Sequence, residues 1–223
     1  MTKSENTTEE YLEAIYKLNE INNKTAVSDM AGELKISVQS VREKIKNLEK
    51  EGYVHYSTEK GISLTEKGTA RAKNVIRKHR LAERFLRDSL GLEWDEVHEE
   101  ACLFEHIMSE NVADALEKFL NYPENCPHGH PIPDKQGIIN KKKHTKMSEL
   151  STGELAIVEK IDETSKALLK SLLTLGILPG KQIELQQIAP FGSAFMICID
   201  GVCSYSIGKD VAEKIWVSKE RKE

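Results

Sequence analysis

A chain of 223 residues with 39% apolar and 30% charged side chains is long enough for one large domain or two to three small ones. Its 32 Lys and Arg stand against 36 Asp and Glu, a net charge of -4 that excludes the strongly basic footprint of a histone-like nucleic-acid binder but not a basic patch. No apolar run approaches a membrane span, Met1 to Glu10 is polar and acidic, and the four cysteines at 102, 126, 198 and 203 are scattered, so the expectation is a cytoplasmic protein with thiols or metal ligands rather than disulfides.

The first segment reads as helices with clear start signals. Thr7-Thr8-Glu9-Glu10 has the form of a capping box, and Leu12, Ile15, Tyr16 and Ile21 supply an apolar face behind it. Ser28 is placed as the cap of a short helix ending near Leu34. Ser37 is placed as the cap of a third, with Val38, Val41, Ile45 and Leu48 on one stripe. Two strand-like runs joined at Glu59-Lys60-Gly61 follow, which completes a winged helix-turn-helix over residues 1–74.

A helical pattern then runs from Thr65 to Leu90 and stops at Gly91; further helices are expected from Asp95 to about Met108 and from Ser109 to before Tyr122-Pro123. Residues 75–140 thus read as an all-α module, and 141–147, within Asn140-Lys-Lys-Lys-His-Thr-Lys146, as a linker. From 148 to 223 the period changes to short β-branched runs, 156–161, 182–185, 194–199 and 202–207, with a helical interlude at 168–175. The expected fold class is mainly α with a small β-barrel domain at the C-terminus. Asp200-Gly201 reads as a two-residue hairpin that sets Cys198 and Cys203 directly opposite each other, as buried small residues rather than a redox pair.

Charge by segment is more informative than the total. Residues 1–74 carry 12 bases and 12 acids, residues 75–140 carry 7 and 13, and five of the seven histidines (79, 98, 106, 128, 130) fall in that acidic middle. Mixed imidazole, carboxylate and thiol donors in one segment point to a divalent metal. His98, Cys102, Glu105 and His106 are spaced to share one helix face, His79 and Glu83 stand four apart, and Glu10 and Glu13 three apart. Glu10 could instead close the capping box. Cys126-Pro-His128-Gly-His130 offers three more donors, or else a Pro-Gly turn with exposed rings.

These residues resemble a known family. Thr-Thr-Glu-x-Tyr-Leu at 7–12, Arg-Lys-His-Arg-Leu-Ala-Glu-Arg at 77–84, Val-His-x-Glu-Ala-Cys-x-x-Glu-His at 97–106 and Pro-Ile-Pro at 131–133 look like the diphtheria toxin repressor family of iron- and manganese-dependent regulators. The resemblance covers almost the whole chain, with residues 148–217 similar to that family's SH3-like domain. It implies a homodimer that binds operator DNA when loaded with metal and represses metal-uptake or homeostasis genes. It implies an effector site at Glu10, Cys102, Glu105 and His106, a second metal position at Glu13 and His79, an ancillary site at His79, Glu83 and His98, and a secondary site at Cys126 and His128. Asp162 and Glu163 are the candidates from the SH3-like domain. Glu10 follows the manganese members and Cys102 the iron members. The soft thiolate favours Fe(II) as the physiological ion, with Mn(II) the alternative and other divalent metals competent in vitro.

The helix beginning at Ser37 presents Ser37, Gln39, Ser40, Arg42, Glu43 and Lys46 opposite its apolar stripe, types that reach phosphates and base edges in a major groove, with Lys60 at the wing tip and Lys44, Lys50 and Arg80 as further positioning candidates. A metalloenzyme centred on His98, Glu105 and His106 is the rival from another class. It lacks a recognisable substrate motif, so no enzyme activity is expected. A winged-helix sensor of a small organic ligand is the other rival.

Overall fold

The structure is a computed structural model. It describes residues 3–21, 24–140 and 143–219, with the side chains of residues 3–6, Ile21 and Cys203 outside the description; the apolar-face reading at Ile21 therefore lies outside the described residues, as do Lys141 and Lys142 of the linker read at 141–147. The chain divides into two compact units: Met1–His79 with Leu103–Ala115 and Pro133–Ile138, and Arg80–Cys102 with Leu116–Ile132 and Ile139–Glu223.

In the first unit, α1 (Lys3–Ile21), α2 (Val27–Glu33) and α3 (Val38–Lys50) are followed by the wing strands β1 (Val54–Ser57) and β2 (Gly61–Leu64) and by the start of α4 (Glu66–Arg84). The wing pairs antiparallel, Val54 opposite Leu64 and Ser57 opposite Gly61. Leu12, Ile15, Met30, Val41, Ile45, Leu48, Val54 and Ile62 form the interior, so helix period and strand alternation both resolve onto one core. The Ser37 hydroxyl accepts from Ser40 N at 3.1 Å, the expected cap of α3.

Three local readings are corrected. Helix α1 starts at Lys3, so Thr7 to Glu10 lie inside it and form no capping box. In α2 Ser28 is internal; Ala26 takes the cap position, with its N–H donated to Asp29 Oδ2 at 2.8 Å. Val38 is 42% exposed and leaves the apolar stripe, because a residue in the first turn of α3 has no preceding turn to pack beneath it.

Beyond Arg84 the helix loosens into a π-helical turn, Phe85–Ser89, where Leu90 N donates to Phe85 O at 3.2 Å, and Gly91 at φ 74° ends it. Helix α5 (Val97–Phe104) tightens into a 3₁₀ turn at Glu105–Ile107, and α6 (Glu110–Phe119) follows, with Val112 N donating to Ser109 Oγ at 3.3 Å. The tightening overturns the reading of one donor face. A 3₁₀ turn advances by about 120° per residue instead of 100°, and Cys102 is exposed while Glu105 and His106 are buried.

The second unit is built on a six-stranded antiparallel sheet, β3 (Thr145–Lys146), β8 (Ile215–Lys219), β4 (Leu155–Ile161), β5 (Gln182–Ile188), β6 (Ala194–Ile199) and β7 (Cys203–Gly208), named in spatial order. Helix α7 (Lys166–Leu175) and the short α8 (Lys209–Ala212) complete it, and the interior includes Val158, Ile161, Leu172, Ile197, Val217 and Trp94. The sheet already begins at Thr145, opposite Val217, and its inner strand β8 had no counterpart among the runs read from the sequence. Cys203 pairs with Ile199 and Cys198 with Ser204, so the expected cysteine pair does not form. The loop holds Val202 besides Asp200 and Gly201, and one extra loop residue shifts the register by one.

A bulge at Glu159 separates the pairs Val158 with Val217 and Lys160 with Trp216. The extra residue restores Ile161 to the core face. It also turns the Glu159 carbonyl toward the loop Cys126–His130: a Cβ on Gly129, which sits at φ 87°, would lie 1.9 Å from that oxygen. The variant Gly129→Ala should therefore destabilise this unit by about 1–3 kcal/mol from backbone strain alone. Both tryptophans, Trp94 and Trp216, belong to this unit, so urea unfolding followed by their fluorescence measures it; a wild-type midpoint would show that the loop does not need this close approach.

Candidate metal centres and nucleic-acid interface

In the first unit, α1 brings Glu9 and Glu13 one turn apart, α4 contributes His79, and the 3₁₀ turn contributes Glu105 and His106. Ligand atoms of Glu13, His79 and Glu105 lie within 4.8 Å of one another. Glu105 Oε2 meets His79 Nδ1 at 2.6 Å, and its Oε1 meets His106 Nε2 at 3.2 Å. Burial, then the Glu13 carboxylate, raise the pKa of Glu105, with His79 opposing. The hydrogen bond to Glu9 raises that of His106. Glu10 is exposed and acts on His106 only as a charge.

In the second unit, ligand atoms of Glu83, Cys126, His128 and Glu163 lie within 4.8 Å of one another, and all four residues are buried. The loop that carries Cys126 and His128 is a closed turn: Cys126 N donates to His130 O at 2.8 Å and Gly129 N to Cys126 O at 2.9 Å. Trp94 Nε1 donates to Pro127 O at 2.9 Å, and Ile161 N to His128 O at 3.0 Å. These bonds fasten the loop to the strand that leads to Glu163. His98 joins the same carboxylates, with Nδ1 3.2 Å from Glu83 Oε1 and 3.9 Å from Glu163 Oε1. The reading of this loop as an exposed turn is thereby overturned. His128 is fully buried, and burial lowers the pKa of His130 to about 4.

The donor chemistry fits a divalent cation. His128 Nε2 faces the Trp94 carbonyl at 3.0 Å; a carbonyl only accepts, so Nε2 carries hydrogen and Nδ1, 3.2 Å from Glu83 Oε1, is left for a cation. Burial opposes charge on this ring, but Glu83, Glu163 and the Trp94 carbonyl together outweigh it and the pKa rises. Burial also holds the Cys126 thiol well above its ordinary pKa. Of the two residues named from the SH3-like region, Glu163 joins the donors; Asp162 Oδ1 instead accepts from Thr164 N at 2.9 Å, closing a turn. Cys102 is exposed on α5, its Sγ 4.0 Å from His98 Nε2.

The surface read as DNA-facing is solvent-exposed throughout: Ser37, Gln39, Ser40, Arg42, Glu43 and Lys46 on α3 and Lys60 in the wing. Gln39 Nε2 donates to Glu43 Oε1 at 2.8 Å, which pre-orients both side chains. His55, exposed on β1, adds a polar group that the sequence reading missed. Lys44 donates to Thr8 Oγ1 at 2.8 Å. Arg80 is corrected: it is 3% exposed and donates to the Pro131 carbonyl, so it is a structural cation rather than a phosphate contact.

Protons hold these donors in the absence of a cation, so cation binding should release them. The raised pKa values of His106 and His128 mean that lowering the pH protonates both rings and weakens binding. The Cys126 thiol, protonated at neutral and mildly alkaline pH, releases its proton across the whole range. Calorimetry with Cd(II) in buffers of different ionisation enthalpy should show release at pH 8 and greater release per ion at pH 6; release independent of pH would contradict the placement of the two imidazoles.

Residues 4–62 match the iron dependent repressor N-terminal DNA binding domain, residues 65–134 the iron dependent repressor metal binding and dimerisation domain, and residues 145–219 the FeoA domain. The chain is 33% identical to the iron-dependent repressor IdeR of Mycobacterium tuberculosis, over 98% of this chain and 100% of that protein. It is 39% identical to the diphtheria toxin repressor of Corynebacterium diphtheriae over 60% of each chain. A solved manganese-dependent transcriptional repressor in complex with manganese superposes with a TM-score of 0.90 at 27% identity, covering 96% of this chain and 100% of that one. With its DNA-binding, metal-binding and dimerisation, and FeoA domains in that order, the chain belongs to the family of iron- and manganese-dependent transcriptional repressors that includes the diphtheria toxin repressor.

Proposed function

We propose that the protein is a cytoplasmic repressor that binds operator DNA as a homodimer when loaded with a divalent cation, and so controls genes of metal uptake and homeostasis. The observation that carries this reading is that the winged helix and the donors Glu13, His79, Glu105 and His106 belong to one compact unit, with α1 contributing both to the core under α3 and to the donor set. A ligand shifts a two-state equilibrium only by its differential affinity for the states, and donors spread over α1, α4 and the 3₁₀ turn allow such a difference. A bound cation would supply the positive charge that the paired carboxylates lack. Glu83, Cys126, His128 and Glu163, with His98 beside them, would hold a further ion in the second unit.

Residues 1–74 carry as many acids as bases, so counterion release from this segment alone favours DNA weakly; two copies on one operator double the contacts. Leu103, Ile107 and Val112 are 72%, 76% and 50% exposed within one stretch of the metal-binding and dimerisation domain, an apolar surface that a second copy would cover. The family resemblance implies that Cys102, exposed here, joins the ligands on loading; its thiolate would favour Fe(II) over Mn(II), while the oxygen donors Glu13 and Glu105 keep manganese a competent substitute.

Replacing His106 with Ala should reduce operator binding in the presence of metal to the metal-free level, measured by anisotropy of a labelled promoter fragment under anaerobic conditions; an unchanged metal response would refute the reading. Cys102→Glu should shift the activation profile from Fe(II) toward Mn(II), and identical profiles would place the preference elsewhere. The double variant Leu103→Lys with Ile107→Lys should sediment as a monomer if that surface is the dimer contact.

A further inference from the structure

Glu9 has no role in the donor set described above, yet it is only 6% exposed on a helix whose neighbouring Glu10 is open to solvent. Burying a carboxylate is costly unless both oxygens are satisfied. Here each has a different partner. Oε1 accepts from Arg71 Nη2 of α4 at 2.8 Å, and Oε2 meets His106 Nδ1 at 3.1 Å.

The second contact has a chemical consequence. An ionised carboxylate only accepts, so it holds hydrogen on Nδ1 of His106 and leaves Nε2 as the nitrogen with a lone pair. Nε2 is the atom that faces Glu105 Oε1 at 3.2 Å, and Glu105 in turn joins Glu13 and His79. The alternative tautomer would turn the Nδ1 lone pair toward the Glu9 oxygen that Arg71 holds in place, and would occupy with hydrogen the nitrogen that faces the other donors. Arg71 fixes the carboxylate from the far side, so the acceptor does not have to be ordered when a cation arrives.

We propose that Glu9 is a positioning residue for the metal-responsive centre: it selects the His106 tautomer and ring orientation that make Nε2 the metal-binding atom. This rests on the reading of His106 as a ligand. Carboxylate partners of metal-binding imidazoles typically alter metal affinity about 10- to 100-fold when removed. Glu9 also stands one residue from Thr8, which accepts a hydrogen bond from Lys44 of α3, so the helix that orients the imidazole is itself tied to the DNA-facing helix.

The test uses the full-length protein and two substitutions of similar size. Glu9→Gln keeps an amide oxygen able to accept from Nδ1; Glu9→Met keeps the volume and removes the acceptor. Both lose the ion pair with Arg71, and glutamine alone keeps an acceptor for it, so affinity is read together with the identity of the bound imidazole nitrogen, which loss of a purely structural anchor would not change. The proposal expects Mn(II) affinity, read from the EPR signal of the free ion, to fall about 10- to 100-fold in Glu9→Met and to remain within a few-fold of wild type in Glu9→Gln. With histidine-selective ¹⁵N labelling and ¹¹³Cd(II) as the diamagnetic probe, coupling to Nε2 of His106 should be present in wild type and Glu9→Gln and lost in Glu9→Met. Wild-type affinity and coupling in Glu9→Met would overturn the proposal, as would equal losses in both variants. His106→Ala serves as the control: unchanged Mn(II) affinity there overturns the ligand reading itself, whereas a loss there beside wild-type behaviour in Glu9→Met overturns only the role of Glu9.

Discussion

The constraint on which the structure depends is that α4 buries ionisable side chains, and a buried charge has to be paired. Arg77, His79, Arg80 and Glu83 are each no more than 3% exposed, and withdrawing such groups from water costs several kcal/mol apiece unless partners compensate. In the first unit Arg77 Nη2 meets Asp114 Oδ1 at 2.9 Å and His79 meets Glu105. In the second, Arg80 caps the Pro131 carbonyl and Glu83 Oε1 lies 3.2 Å from both His98 and His128. One helix thereby dictates which loops and turns must come to it. A helix that only filled a core would carry Leu or Ile at these positions.

That arrangement also makes the centres responsive. Imidazoles and carboxylates that hydrogen-bond to each other are stable as a set without a cation and are already near the positions a cation needs. Loading would then not have to build the donors; protons would leave and the side chains would stay in place. The two centres differ in hardness. Glu13, His79, Glu105 and His106 supply oxygen and nitrogen, while the second unit adds the buried thiol of Cys126.

Much of this is legible in the sequence. The Ser37 cap, the apolar positions 41, 45 and 48 and the short wing are local patterns, and the winged helix stands where they put it. Most donor residues were also identifiable by type, because His, Cys and Glu rarely crowd one acidic segment without a purpose. The errors share a physical origin. A capping box at Thr7 and a common face for His98, Cys102, Glu105 and His106 both assumed uniform helices with visible ends, while α1 begins earlier and α5 tightens after Phe104. The cysteine pair failed because Val202 joins the loop, and a one-residue slip moves every partner.

Glu9 shows the limit most clearly. Its motif was visible at 7–12, but a glutamate beside another on a helix carries no mark of which one turns inward; that follows from packing against α4 and the turn at His106. The sequence by itself determined the chemistry available: which donors exist, their hardness, the order of the domains and the local caps and turns, all of which depend on residues within a few positions of one another. Only the tertiary structure decided which oxygen faces which nitrogen, which carboxylate is buried and which imidazole nitrogen is free. Those are consequences of desolvation and hydrogen-bond geometry between residues as far apart as Glu9 and His106, and no local pattern encodes them.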